Sequence, residues 1–178
     1  PRYTNEGKGT VYGFELLLRH RPTDRFFGWV SYTFMQSTRI DRAGEPRRPF
    51  DFDQTHILTM LGSYRLGRGW EFGARFRLVT GNLTTPIAGA FYNASAGTYV
   101  AVNAARAFSE RLPLFNQLDL RIDKMWDYGT WRLRTYLDVQ NVYYAQNVEG
   151  YSYNYNYSQR SRVTGLPIIP SLGIRGEF

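Results

Sequence analysis

The sequence contains no cysteine in 178 residues, which excludes a disulfide scaffold and a thiolate metal site. It also lacks any run of about 18 apolar residues, so no helix can cross a membrane. Two histidines are the entire imidazole supply, and no metal site or cofactor is expected from them. Acidic residues are the minority, 15 Asp and Glu against 22 Lys and Arg, for a net charge of +7. No signal peptide is visible, and the first residue is Pro1 rather than Met, which fits a processed or partial product. The basic excess is spread along the chain without a Lys/Arg-rich run. It is therefore expected to lie on strand faces among opposite charges and not to bind nucleic acid. Aromatics are plentiful: four Trp, 14 Tyr and 12 Phe. That load is too high for a disordered chain.

The hydrophobic pattern repeats every two residues, the period of a strand. In 70–79, Trp70, Phe72, Ala74, Phe76 and Leu78 share one face, while Glu71, Arg75 and Arg77 share the other. Leu118, Leu120 and Ile122 likewise oppose Gln117, Asp119, Arg121 and Asp123, with Lys124 breaking the apolar set. Trp131, Leu133, Leu137 and Val139 oppose Arg132, Arg134, Tyr136 and Asp138. The same reading predicts strands over 11–20, 26–37 (with Trp29 on the polar side), 56–66 and 170–178. The count is seven antiparallel strands, an all-β chain.

The predicted connections alternate in length. Residues 21–25, 67–69 and 127–130 carry short-turn chemistry, namely Pro-Thr-Asp, Gly-Arg-Gly and Asp-Tyr-Gly-Thr. Residues 41–54, 81–114 and 145–169 are long. The charge-free stretch 78–105 is broken by Gly, Pro, Asn and Ser, and is expected to be loop. Short turns at one end and long loops at the other are the layout of an outer-membrane barrel. Phe26, Phe27, Trp70, Trp126, Trp131 and Phe178 gather near the short-turn end, as an interfacial aromatic girdle would. With Phe178 on the short-turn side, counting back places Tyr3–Lys8 on the long-loop side. Seven strands cannot close an antiparallel bacterial barrel, which needs an even number. The expectation is a segment of a larger barrel, or a missed strand.

Several stretches resemble the C-terminal barrel region of TonB-dependent outer-membrane receptors. They are the 9–36 hairpin with its Ser-Tyr-Thr end, the 53–82 hairpin, FNQLDLRIDKMW followed by YLDVQNVYY, and the closing PSLGIRGEF. Ser171, Gly173 and Phe178 match the family's assembly signal, read by the barrel-assembly machinery; Gly176 departs from it, where a bulky residue is usual. The resemblance implies that 1–178 is the last part of a 22-stranded transmembrane barrel. It further implies a plug domain and a TonB-contact segment upstream. By the same resemblance the protein lies in the outer membrane of a Gram-negative cell, and external loops capture a scarce solute that TonB-coupled energy moves inward.

Within that frame the expected lumen- or plug-facing charges are Arg75, Arg77, Asp119, Arg121, Asp123, Arg132, Arg134 and Asp138. They are expected to form cross-strand ion pairs. Tyr151, Tyr153, Tyr155 and Tyr157, alternating with polar residues, form a strip suited to ligand contact in the third long loop. Arg42, Arg47 and Arg48 of the first loop are candidates for contact with lipopolysaccharide. Asp119 and Asp123 sit among arginines that keep both ionised, and neither His20 nor His56 has a Ser partner in a recognisable motif, so no catalytic residue is expected. Two other classes stay open: a barrel subunit with a structural or assembly role in a multi-chain outer-membrane complex, and a soluble all-β binding module.

Overall fold

The computed structural model describes residues 5–178. Tyr3 therefore lies outside the described residues, along with that part of the expectation for the start of the chain. In chain order the strands are β1 (Lys8–His20), β2 (Phe26–Ile40), β3 (Arg48–Pro49), β4 (His56–Gly67) and β5 (Trp70–Val79). Next come β6 (Leu83–Thr84), β7 (Ile87–Asn93), β8 (Thr98–Asn103) and β9 (Glu110–Arg111). The remainder are β10 (Phe115–Asp127), β11 (Arg132–Gln140), β12 (Val148–Tyr153), β13 (Arg160–Thr164) and β14 (Ile169–Glu177). All pairings are antiparallel, and no helix occurs among the described residues.

Seven long strands form one meandering sheet in the order β1-β2-β4-β5-β10-β11-β14, with β3 added beside β2. Every neighbour in that row is also the next long strand along the chain, so local hairpins build the whole sheet. The edge strands β1 and β14 do not pair with each other, and the sheet is open.

The register keeps the two-residue alternation in phase from edge to edge. Arg75 lies opposite Asp119 in β10 and Leu61 in β4. Arg121 lies opposite Asp138, and Asp138 opposite Ser171. One face thus collects Glu15, Glu71, Arg75, Asp119, Arg121, Arg134 and Arg175. The other collects Phe14, Leu16, Tyr32, Met60, Phe72, Phe76, Leu120 and Leu172. A slip of one residue in any strand would put charges among the apolar set, which is why the register is well specified.

The turns explain themselves locally. In the 67–69 turn all three residues have positive φ, 91° at Gly67, 52° at Arg68 and 79° at Gly69. The Gly69 carbonyl accepts the Met125 N–H at 2.8 Å, and a Cβ at Gly69 would collide with the Met125 carbonyl oxygen. Only a residue without Cβ allows this approach. In the 127–131 turn the Asp127 carboxylate accepts the Gly129 N–H at 2.9 Å, and Gly129 has φ 82°.

The apolar face has no second layer over it. Among the described residues the one buried hydrophobic side chain is Leu112, at 6% exposure, and it lies in a loop. Leu172 is 82% and Ile174 78% exposed, and Phe14, Leu16, Leu66 and Phe72 are exposed too.

The stretch 81–114, expected to be loop, holds four strands. β7 and β8 form a hairpin around Asn93–Thr98, and β6 and β9 pair at its base. Small residues and the want of charge hid a pattern that cross-strand partners complete, such as Tyr92 opposite Tyr99 and Phe91 opposite Val100.

Candidate functional site

All eight predicted charges lie on the face opposite the apolar one, brought together by β5, β10 and β11. The expected cross-strand ion pairing is present only in part. Arg75 grips Asp119 across β5 and β10, with Nε at 2.9 Å and Nη2 at 2.7 Å from one carboxylate oxygen. Arg121 pairs with Asp123 two residues along its own strand, at 2.8 and 2.9 Å. Arg132 reaches Asp127 at 3.2 Å, so the β10–β11 ion pair uses a carboxylate outside the predicted set. Arg77 donates to Gln117 at 3.1 Å and lies over the Phe115 ring, while Arg134 approaches the Met125 sulfur at 3.9 Å. The register is the reason: it sets Asp123 opposite Tyr136 and Arg134 opposite Met125. Arg121 does stand opposite Asp138, but its guanidinium bonds Asp123.

Asp119 is the most engaged of these residues. It is 5% exposed, and its second oxygen accepts the Gln117 side-chain N–H at 2.6 Å and the Asn141 backbone N–H at 3.0 Å. Asn141, at φ 55°, then ties the chain leaving β11 to Ala145 and Leu166. One carboxylate so links two strands to the root of the third loop. Glu71, Arg75, Asp119, Arg121, Tyr136 and Asp138 surround a depression of about 580 Å³ on this face. Among the described residues no group of three His, Asp or Glu side chains could hold a metal ion.

At the far edge, Tyr136 lies across Gly173 in β14, its ring filling the space a Cβ would take. The Arg121 guanidinium stands 3.8 Å from the Tyr136 ring centroid, oriented by Asp123. The stack Asp123–Arg121–Tyr136–Gly173 thereby ties the last strand to β11 and, through it, to β10. Of the predicted assembly residues, Ser171 sits opposite Asp138 on the same face, while Phe178 is fully exposed with its ring parallel to Trp131, centroids 6.2 Å apart.

The aromatic set at the short-turn end divides between the faces. Phe26, Trp70 and Trp126 lie on the apolar face, and the Lys124 ammonium stands over both Trp rings, at 5.0 and 5.7 Å, while donating to the Arg68 carbonyl. Lys124 thus breaks the apolar set only at the level of the turns, where its charge reaches out of the sheet. Phe27 departs from the expected girdle. It pairs with Ser63 on the charged face and lies under Arg19.

The long loops interlock at the opposite end, through residues the sequence did not single out. Asp53, 2% exposed, accepts the Ser37 N–H at 2.7 Å, the Thr55 hydroxyl at 3.0 Å and Arg111 at 2.7 Å. Arg111 also donates to the carbonyls of Asp53 and Gly81, at 2.8 and 2.9 Å. Arg160 holds both oxygens of Glu110, at 2.8 and 2.9 Å, and packs over Tyr151. This pair joins the third loop to the second and raises the Arg160 guanidinium above its ordinary pKa, chiefly through the Glu110 hydrogen bonds. Arg160→Ala should therefore raise amide exchange in β9 and β13 while leaving the seven long strands unchanged, as hydrogen-exchange mass spectrometry would read.

The predicted tyrosine strip is divided. Tyr151 and Tyr153 belong to β12, but the chain turns at 154–159, and Tyr157 takes φ 58°. Tyr153 and Tyr157 face each other across that turn at 5.9 Å, whereas Tyr155 leaves it to meet the second loop. Arg48, a candidate for lipopolysaccharide, is taken up by its own loop: it bonds Asp41 at 2.6 and 3.0 Å and Asp51 at 2.5 Å. The Arg48 hydrogen bonds hold the Asp41 carboxyl below its ordinary value of 3.8. A carboxyl depressed in the folded state stabilises above its unfolded pKa and loses that contribution as pH falls through the folded one. The 41–51 loop should thus stay protected at pH 5 and loosen below pH 3.8, with Asp41→Asn loosening it at both, by exchange measured across that range.

No protein-family model, curated protein or solved structure matches the chain.

Proposed function

We propose that this chain is the C-terminal strand region of a TonB-dependent receptor in the outer membrane of a Gram-negative cell. It supplies seven strands of a larger, 22-stranded barrel wall, a charged face toward the lumen and plug, and three loops toward the outside. The observation that carries this reading is the bare apolar face. A one-sided sheet in water covers its apolar side with a second layer, and here seven strands present Leu, Phe, Met and Ile outward with nothing packed on them. Lipid is the solvent that suits such a face.

Strand length agrees. The shortest long strands have nine residues; at about 3.3 Å each and a tilt of about 40° they rise roughly 23 Å, close to the height of an outer-membrane apolar band. The free edges of β1 and β14 are where the remaining strands would pair, since a spanning sheet leaves no edge open to lipid. The Asp123–Arg121–Tyr136–Gly173 stack gives the assembly-signal residue Gly173 a physical task, which is to hold the final strand until the barrel closes. Binding falls to the loops and the charged face, transport to the plug and TonB. No catalytic residue and no cofactor enter this reading.

Fractionation of the native cell tests it. The polypeptide should sit in the outer membrane, leave it only with detergent, and show a denatured mass several times the 20.7 kDa of this sequence. A mass near 20.7 kDa in the same membrane would favour a separate barrel subunit without transport of its own. Recovery in the soluble fraction would overturn both.

A further inference from the structure

The outermost part of the loop cluster carries no charge: residues 78–105 and 150–159 hold no Asp, Glu, Lys or Arg. Within it three tyrosines from two hairpins form one row. Tyr92 and Tyr99, opposite each other across β7 and β8, meet edge to face with centroids 5.2 Å apart. Tyr99 meets Tyr155 of the third loop at 5.5 Å and 84°. The Tyr155 hydroxyl donates to the Gly97 carbonyl at 2.9 Å, which fixes one hairpin against the other.

This row is not a core. Tyr92 is 54% and Tyr155 66% exposed. Asn93 and Asn156 follow Tyr92 and Tyr155 in the chain, and Asn93, paired with Thr98, lies on the other face of its hairpin from the rings. Asn93 and Asn156 spend their carbonyl oxygens on their own turns, toward Ser95, Ala96 and Ser158. Their amide N–H groups, and the hydroxyls of Tyr92 and Tyr99, make no hydrogen bond to the protein among the described residues.

The chemistry selects a ligand. An ionic solute finds no counter-charge here, and a wholly apolar one finds no dry enclosure and phenol hydroxyls it cannot satisfy. A neutral molecule with C–H faces and hydroxyl edges suits the row, its faces on the rings and its hydroxyls on the free phenols of Tyr92 and Tyr99. Rings held in place beforehand by Gly97 and by each other also lower the ordering cost of such a contact. We propose that the Tyr92–Tyr99–Tyr155 row is a binding surface for a neutral saccharide. The proposal rests on the reading that these loops face the outside, and it gives that reading a substrate class.

The test uses the protein at its natural length, purified in detergent, on an array of neutral glycans, uronate- and sialate-bearing glycans and uncharged peptides. Neutral glycans should bind, with the best of them weakened at least tenfold by Tyr99→Ala or Tyr155→Ala and less than threefold by Tyr99→Phe. No neutral glycan bound, preference for acidic glycans or peptides, or binding that survives the triple alanine variant would each overturn the proposal. The variants lie in the loop hairpins, with Tyr92 and Tyr155 exposed and Tyr99 half-buried, and retention of heat-modifiable migration on gels checks that they fold. That migration tests the barrel separately: glycan binding by a protein that needs no detergent would sink the membrane reading and leave the saccharide surface standing.

Discussion

Asp53→Ala should destabilise the folded chain by about 2–3 kcal/mol and free the second long loop from the first. Three donors converge on this carboxylate, from Ser37, Thr55 and Arg111, and its side chain is 3% exposed. Truncation leaves the Ser37 N–H buried without a partner and Arg111 without its counter-charge. Breaking a buried pair from one side costs about 3–5 kcal/mol. Arg111 is 30% exposed, so water recovers part of its solvation, which is why the lower figure is expected. Asp53→Asn keeps the shape and one acceptor and should lose about half as much. Urea unfolding in detergent reads the global effect, and amide exchange over β6 and β9 reads the local one. Equal stability of the alanine variant and the parent would mean that the loops are not held this way.

Gly173→Val is the second large effect. A Cβ there would sit within the Tyr136 ring, so the ring must leave, and with it the stacking that Arg121 makes at 3.8 Å. Overpacking costs about 1–3 kcal/mol, and a cation–π contact on a partly covered face adds about 0.5–1 kcal/mol. A loss of about 2–3 kcal/mol is expected, concentrated in β14, together with a lower yield of folded protein. Tyr136→Ala removes the obstruction. In the double variant Gly173→Val should therefore cost clearly less than it does alone, a coupling that a double-mutant cycle measures. Strict additivity would show that the two residues do not share the space.

These two sites differ in how far the sequence betrays them. The sheet is legible because strands with one apolar and one charged face write that division directly into alternation. The strand predicted at 70–79 is the strand observed, and the turns at 67–69 and 127–130 announce themselves through Gly and Asp chemistry. Gly173 also stands out, through resemblance at the chain's end, but its partner Tyr136 does not, because only the β11–β14 register makes them neighbours. Asp53 gave no signal at all. It sits in a polar connection among other acids, and its partner Arg111 comes 58 residues later. Its burial exists only once two loops close on each other. The tyrosine row failed differently. Alternation in 151–157 suggested a single strip, but a turn takes Tyr155 out of it and carries it to a hairpin whose small residues had disguised it as loop.

The most direct measurement is nitroxide accessibility along β5. The sequence holds no cysteine, so a thiol introduced at each position from Glu71 to Leu78 is unique within this stretch. In the membrane-reconstituted protein, labels at 72, 74, 76 and 78 should collide with oxygen dissolved in lipid and be hidden from a water-soluble nickel complex. Labels at 71, 73, 75 and 77 should do the reverse. A two-residue alternation in that phase is what a barrel wall with a lipid-facing apolar side produces. Nickel access on both faces, or alternation in the opposite phase, would contradict it.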